Sequence, residues 1–298
     1  MDTNQFPANP IAAVTHADPY PYYTDLVTHR PLYRDEPLGL WIASSAAAVT
    51  AALTNESCRV RPANEPVPTP LLGSPAEVIY RRLIRMNDGN GHCPFNRAVA
   101  ATINSVAPAQ IAACSNRWAK HLLLRLDPAN ELAHISDFAF KLSTHVIGDL
   151  LGVPEEQLDQ TSNHVGDFVR CIFPSSTPDR IERGKIAAGS LLEMFDENLA
   201  RTKRDNKQGL LVSLAREAER LGQHGPLTVL ANGIGLLSQA YEATAGLIGN
   251  SLLTLAKCDA VRQQVVAKPR LVLLCQVGIK RCGARRTGLK KRSVHGST

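Results

Sequence analysis

The stretch Gln239 to Asn250, "QAYEATAGLIGN", puts an acid, Glu242, and an alcohol, Thr244, within one helical turn of each other. Ala240, Ala243, Ala245 and Gly246 surround them with side chains small enough to admit a flat ligand. A carboxylate and a hydroxyl are the groups that carry protons to a reacting atom. Glu242 is the only charge in the segment Pro226 to Lys257 before Lys257 itself. That segment opens with Pro226 after Gly225, a first-turn position where a missing N–H costs nothing. It continues without another proline for a length of roughly 45 Å if wholly helical. Val229, Leu230, Ile234, Leu236, Leu237, Leu247, Ile248, Leu252, Leu253 and Leu255 lie on every side, which predicts a helix buried all round. Three readings compete: a membrane span, a core helix with one satisfied carboxylate, and a site. Asn232, Gln239, Glu242, Thr244 and Asn250 argue against the span, since a central carboxylate alone costs roughly 2.5–3.5 kcal/mol on insertion scales.

The elements that must position this helix follow in order. "DPYPYYTDLVTH" (Asp18 to His29) starts a short helix, and "PLYRD" and "GLWIA" read as two strands joined tightly at Glu36-Pro37-Leu38. A helix over Ser45 to Leu53 is followed by the proline-rich loop Arg61 to Pro70. Helices are predicted over Glu77 to Met86, from His92 onward, and over Pro108 to Leu126, where Ile111, Cys114, Trp118, Leu122 and Leu126 recur at helical spacing. Ser136 can cap the next helix, which ends at Gly152 before Pro154. Arg180 to Arg201 and Leu210 to Leu221 complete the helical series.

The central helix resembles that of bacterial cytochrome P450 enzymes, whose pattern reads small-Gly-x-(Asp/Glu)-Thr-(Thr), then apolar residues and "LIGN". Glu242 falls on the acid and Ala240 on the glycine, while Ala243 stands at the usual alcohol position with Thr244 immediately after it. The helix–hairpin–helix order with "RVRP" at Arg59 to Pro62, and "LLGVPEE" at Leu150 to Glu156, are similar to the same family. The resemblance implies a mainly α, cytochrome P450-like fold with a small N-terminal β patch. It implies haem as cofactor, with its propionates held by His92 and a basic residue one turn later; Arg97 is one place beyond that position. His92 as an ordinary polar helix-start residue is an equal reading. A small apolar substrate, O₂, and a ferredoxin-like or flavin electron donor are the partners the resemblance implies, with Glu242 and Thr244 as catalytic groups and Ala240 beside the cofactor.

The resemblance covers Asp18 to about Ala267 and then stops. No Glu or Asp follows Asp259, so the family's E-x-x-R cannot occur there, and neither Cys275 nor Cys282 sits in its cysteine-ligand loop pattern. From Pro269 on there are eight Lys/Arg and no acid; taking those from 33 leaves 25 basic against 27 acidic residues in the body. We therefore expect a partial P450-like domain over 1–267, lacking the C-terminal haem-ligand region, and a divergent basic tail over 268–298. A shifted reading frame near Val266 to Leu274 explains that change, and the chain is then a truncated, inactive monooxygenase. The rival reading is a non-catalytic helical binding protein that uses the old pocket or the basic tail, the latter to meet nucleic acid, although nucleic acid is not the partner the body favours. Seven cysteines without C-x-x-C and no secretory pattern in residues 1–30 fit a reduced, cytoplasmic protein with neither disulfide scaffold nor zinc site. The other histidines show no H-x-x-x-H spacing and read as solvated or core. The open apolar surface left by the missing part predicts a poorly soluble or partly molten chain.

Overall fold

The computed structural model describes residues 6–61, 64–87, 93–173, 175–222 and 225–267. The basic tail and His92 lie outside the described residues. Two compact units separate at residue 63.

The N-terminal unit carries helices α1 (Pro10–Ala13) and α2 (Tyr20–His29), strands β1 (Leu32–Asp35) and β2 (Leu40–Ala43), and helix α3 (Ala46–Thr54). The strands pair antiparallel with Leu32 opposite Ala43 and Asp35 opposite Leu40. The Asp35 carboxylate accepts from the Leu38 N–H at 3.1 Å, and Gly39 closes the turn at φ +65°, a left-handed conformation that suits glycine. Ser44 donates its hydroxyl to the Leu26 and Arg30 carbonyls, tying the end of the hairpin to the end of α2. Ser45 caps α3 by accepting from the Ala48 N–H at 3.2 Å. Ala13, Tyr22 and Leu26 form this unit's small core.

The larger unit is helical throughout: α4 (Pro75–Arg82), α5 (Cys93–Asn104), α6 (Pro108–Leu126), α7 (His134–Leu151), α8 (Leu158–Cys171), α9 (Pro178–Arg204), α10 (Leu210–Arg220), α11 (Pro226–Lys257) and α12 (Asp259–Ala267). Helix α11 spans the predicted residues and packs against α4, α7, α8, α9 and α10. Its first half is buried from Val229 through Gly235, in a single core with Phe168, Leu191, Phe195, Leu211, Leu214 and Ile234. A side chain at Gly233 would meet Leu211 at 2.7 Å, and one at Gly235 would meet Leu83 at 2.7 Å, so these glycines set how closely α11 approaches its neighbours. The second half is different. Gln239, Glu242, Ala243, Gly246, Leu247, Gly249, Asn250, Leu252 and Leu253 are exposed, so burial all round holds only for the first half.

Several predicted boundaries move, two of them for a visible cause. Helix α7 begins at His134, whose Nδ1 lies 2.6 Å from the Leu126 carbonyl, leaving Ser136 inside the first turn instead of at its cap. Helix α4 stops at Arg82, and a separate 3₁₀ turn covers Ile84–Met86. The break is held from outside: the Asn232 side chain accepts from the Ile84 N–H at 2.9 Å and donates to the Arg82 carbonyl at 2.9 Å. At the other end of α7, Gly152 adopts φ +92° and Val153 donates to the Gly148 carbonyl, as a helix stop at glycine requires.

Candidate functional site on the central helix

The rotation of α11 about its own axis decides which groups can meet a ligand, and three contacts hold that rotation. Ser143 on α7 donates to the Ala240 carbonyl at 2.7 Å. The Tyr241 ring packs on Phe140 with centroids 4.5 Å apart, and its hydroxyl lies 3.4 Å from the Arg170 guanidinium on α8. Gly166 makes room for it, because a side chain there would stand 2.6 Å from the Tyr241 oxygen. Burial raises the Tyr241 phenol above its ordinary pKa, so it stays a neutral anchor. With Ala240 and Tyr241 turned to α7 and α8, Glu242 and Ala243 face outward.

The open side is smooth. An added side chain at Gly246 or Gly249 would meet nothing within 4 Å, in contrast to Gly233 and Gly235 on the same helix. Glu242 is exposed at one end of this strip and Ala240 is half-buried at its edge. Thr244 is half-buried, and two helical positions turn it about 200° from Glu242. The predicted acid and alcohol therefore lie on different sides of α11. Arg97 is exposed on α5, a helix that packs against α10. His92 falls outside the described residues, so the pair proposed for the propionates is represented by Arg97 alone.

Sequence reasoning passed over the second titratable centre. His145, 2 % exposed, stands with Trp118 at a ring-centroid distance of 4.9 Å and has Nε2 at 3.6 Å from Asp159. Asp159 also binds Arg125 at 2.6 and 2.8 Å and Lys141 at 3.3 Å, joining α6, α7 and α8. Burial holds the His145 imidazole down at about 4, and the Arg125 guanidinium holds the Asp159 carboxyl at about 2. No metal-ligand spacing surrounds His145, which is why its environment was not legible beforehand. A cavity of about 460 Å³ lies between the ends of α5 and α7 and the start of α10, with Cys114, Arg117 and Asp149 in its wall. A smaller one of about 270 Å³ opens beside Tyr241, Arg170 and Asp167. Among the described residues no cluster of His, Cys, Asp or Glu could hold a metal ion.

No protein-family model matches the chain. Curated relatives do. The biotin biosynthesis cytochrome P450 of Bacillus subtilis is 24% identical over 247 residues, covering 80% of this chain and 60% of the relative. The 20-oxo-5-O-mycaminosyltylactone 23-monooxygenase of Streptomyces fradiae is 24% identical over 268 residues, covering 88% of this chain and 61% of that enzyme. Among solved structures, CalO2 superposes with a TM-score of 0.72 at 21% identity, over 92% of this chain and 68% of that one. P450BioI, solved in complex with an acyl carrier protein ligated to hexadec-9Z-enoic acid, superposes with a TM-score of 0.71 at 21% identity, over 87% of this chain and 68% of that one. This is a cytochrome P450-like chain. Its fold is the mainly α P450 arrangement with a two-stranded sheet, and it spans about 60% of the length of these curated relatives. Among the described residues no single helix is long and apolar enough to cross a membrane; the adjoining stretches Phe95–Asn104 and Pro108–Leu126 pass by composition together but are bent by 74°.

The P450-like fold implies haem, and the described residues fit that group on one side only. The strip along Glu242, Ala243 and Gly246 offers a flat, unobstructed wall. A thiolate for the other side is not supplied by the buried cysteines: burial pushes the Cys114 thiol up to about 12 and the Cys171 thiol up to about 11.

Proposed function

We propose that this chain carries the oxygen-side wall of a P450 monooxygenase pocket, and that its 298 residues alone do not complete a haem-thiolate centre. The observation that carries the reading is the open strip of α11, where a carboxylate borders a surface free of side chains at Gly246 and Gly249. Haem, when bound, supplies the activation of O₂ that such enzymes use to hydroxylate a substrate. The residues of this chain do the rest. Glu242, exposed at the edge of the wall, takes a proton from solvent and holds it at its carboxyl oxygens for delivery to the pocket. Ala240, Ala243 and Gly246 keep the wall low. Thr244, turned about 200° from Glu242, has no direct part in that transfer and belongs to the packed side of the helix. Arg97, with His92, pairs with the haem propionates.

The reading takes a small apolar substrate, electrons from a ferredoxin-like or flavin partner, and a cytoplasmic setting in which the described cysteines Cys58, Cys114 and Cys171 are free thiols. The acyl carrier protein bound to P450BioI supports a carrier-borne substrate only for that protein. Haem reconstitution of the purified chain tests the proposal. We expect weak haem binding without the thiolate-type reduced-CO spectrum, and Glu242→Gln leaves the bound fraction unchanged while Gly246→Trp abolishes it. A thiolate-type spectrum from these 298 residues would overturn the incomplete-centre claim. Retained haem binding in Gly246→Trp would move the wall elsewhere.

A further inference from the structure

The open side of α11 has a property that a cofactor wall does not need: it is complementary to itself. At 100° per residue, Gln239, Glu242, Gly246, Gly249, Asn250, Leu253 and Lys257 all fall within about 50° of one line along the helix. All seven are exposed, and Leu253 is 43 % exposed. The half-buried Ile248, Ser251 and Leu255 mark the opposite side. We propose that a second copy of this chain docks here, pairing the C-terminal halves of two α11 helices antiparallel about a two-fold axis between Gly249 and Asn250.

That axis makes each feature of the strip find its match. Glu242 lies opposite Lys257 of the second copy, and Lys257 opposite its Glu242. Leu253 enters the gap over Gly246, where nothing stands within 4 Å of a would-be side chain. Gly249 and Asn250 flank the axis itself, each beside its own counterpart in the second copy. The two charges cannot satisfy one another within one chain, because fifteen residues separate them by roughly 22 Å of helix. Among the described residues neither enters an ion pair. A parallel pairing would set Glu242 against Glu242 and Lys257 against Lys257, and a shift by one turn would put Leu253 against Asn250. An isologous interface is the common solution for a self-complementary face. One helix pair is a small interface, so association in the range of roughly 10–100 µM is expected. The seam occupies the side of α11 assigned above to haem but does not rest on that assignment, since its argument is charge and shape alone.

Sedimentation equilibrium on the full chain, without haem, tests it. A monomer–dimer equilibrium is expected in that range. Glu242→Lys and Lys257→Glu should each weaken it about tenfold, and the two together should restore it. Asn250→Cys should form a disulfide with the same substituted position of the second copy, identified by mass spectrometry of the joined peptides. All these positions are exposed, so the variants keep the core. A monomer at every concentration overturns the proposal, whether the face stays open or residues 268–298 cover it. So does association that ignores both charge reversals. Haem that binds without dissociating the dimer would count against the pocket reading and leave the seam standing.

Discussion

His145 shows how one buried side chain gives the whole unit a pH response. Its imidazole ordinarily titrates at 6.5 and is held at about 4 in the fold, because burial disfavours the charged form more strongly than Asp159 favours it. A depressed histidine pKa means the unfolded chain binds the proton first, so the stability it contributes is present above 6.5 and is lost as pH falls from 6.5 to about 4. The size is about 3 kcal/mol at most, from 1.36 kcal/mol per unit. Asp159 acts lower, its contribution fading as pH falls from 3.8 to about 2. Urea midpoints measured from pH 7 to pH 4 should therefore drop in the native chain and stay flatter in His145→Phe. Asn232 is the second decisive residue. Asn232→Ala removes the side-chain bonds to the Ile84 N–H and the Arg82 carbonyl in a part-buried setting. A loss of about 2–3 kcal/mol in thermal unfolding is expected.

At the scale of the element, α11 is two helices of different use joined end to end. The first half is defined by what touches it and the second by what does not. Substituting glycines along it separates the two. Gly233→Ala drives a methyl to 2.7 Å from Leu211 and 3.3 Å from Phe195, and should cost about 1–3 kcal/mol. Gly246→Ala meets nothing and, in dilute protein, should stabilise the helix by about 0.5–1 kcal/mol. Paired thermal melts check both signs. Gly166→Ala belongs with Gly233, since its methyl would press on the Tyr241 hydroxyl and turn the helix that carries Glu242. Its melting point should fall, and the accessibility of Glu242 to carboxyl-directed labelling should change with it.

Across the whole molecule, apolar side chains remain on the outside in number. Leu53 is 81 % exposed, Leu124 87 %, Leu132 71 % and Trp41 69 %. Surfaces of that kind bind apolar dyes and favour association. Strong binding of anilinonaphthalene sulfonate at neutral pH, with retained far-ultraviolet helicity, is the expected outcome; absence of dye binding would show that those side chains are covered in solution.

The sequence by itself determined the order and type of most elements, because periodicity and punctuation are local, though α1 and α8 were not read from it. Pro226 and the unbroken run to Lys257 delimited α11, Gly152 stopped α7, and Ser45 opened α3. It also carried the family likeness, through Glu242 and "LIGN". The tertiary structure decided what no local pattern encodes: which side of α11 is open. An apolar helix reads the same whether its neighbours are present or not, and only Ser143, Phe140, Arg170 and Gly166, distant in sequence, turn Tyr241 inward and Glu242 outward. The separation of Glu242 from Thr244 and the burial of His145 were settled the same way, by packing between helices, because depth and facing are properties of an assembled core.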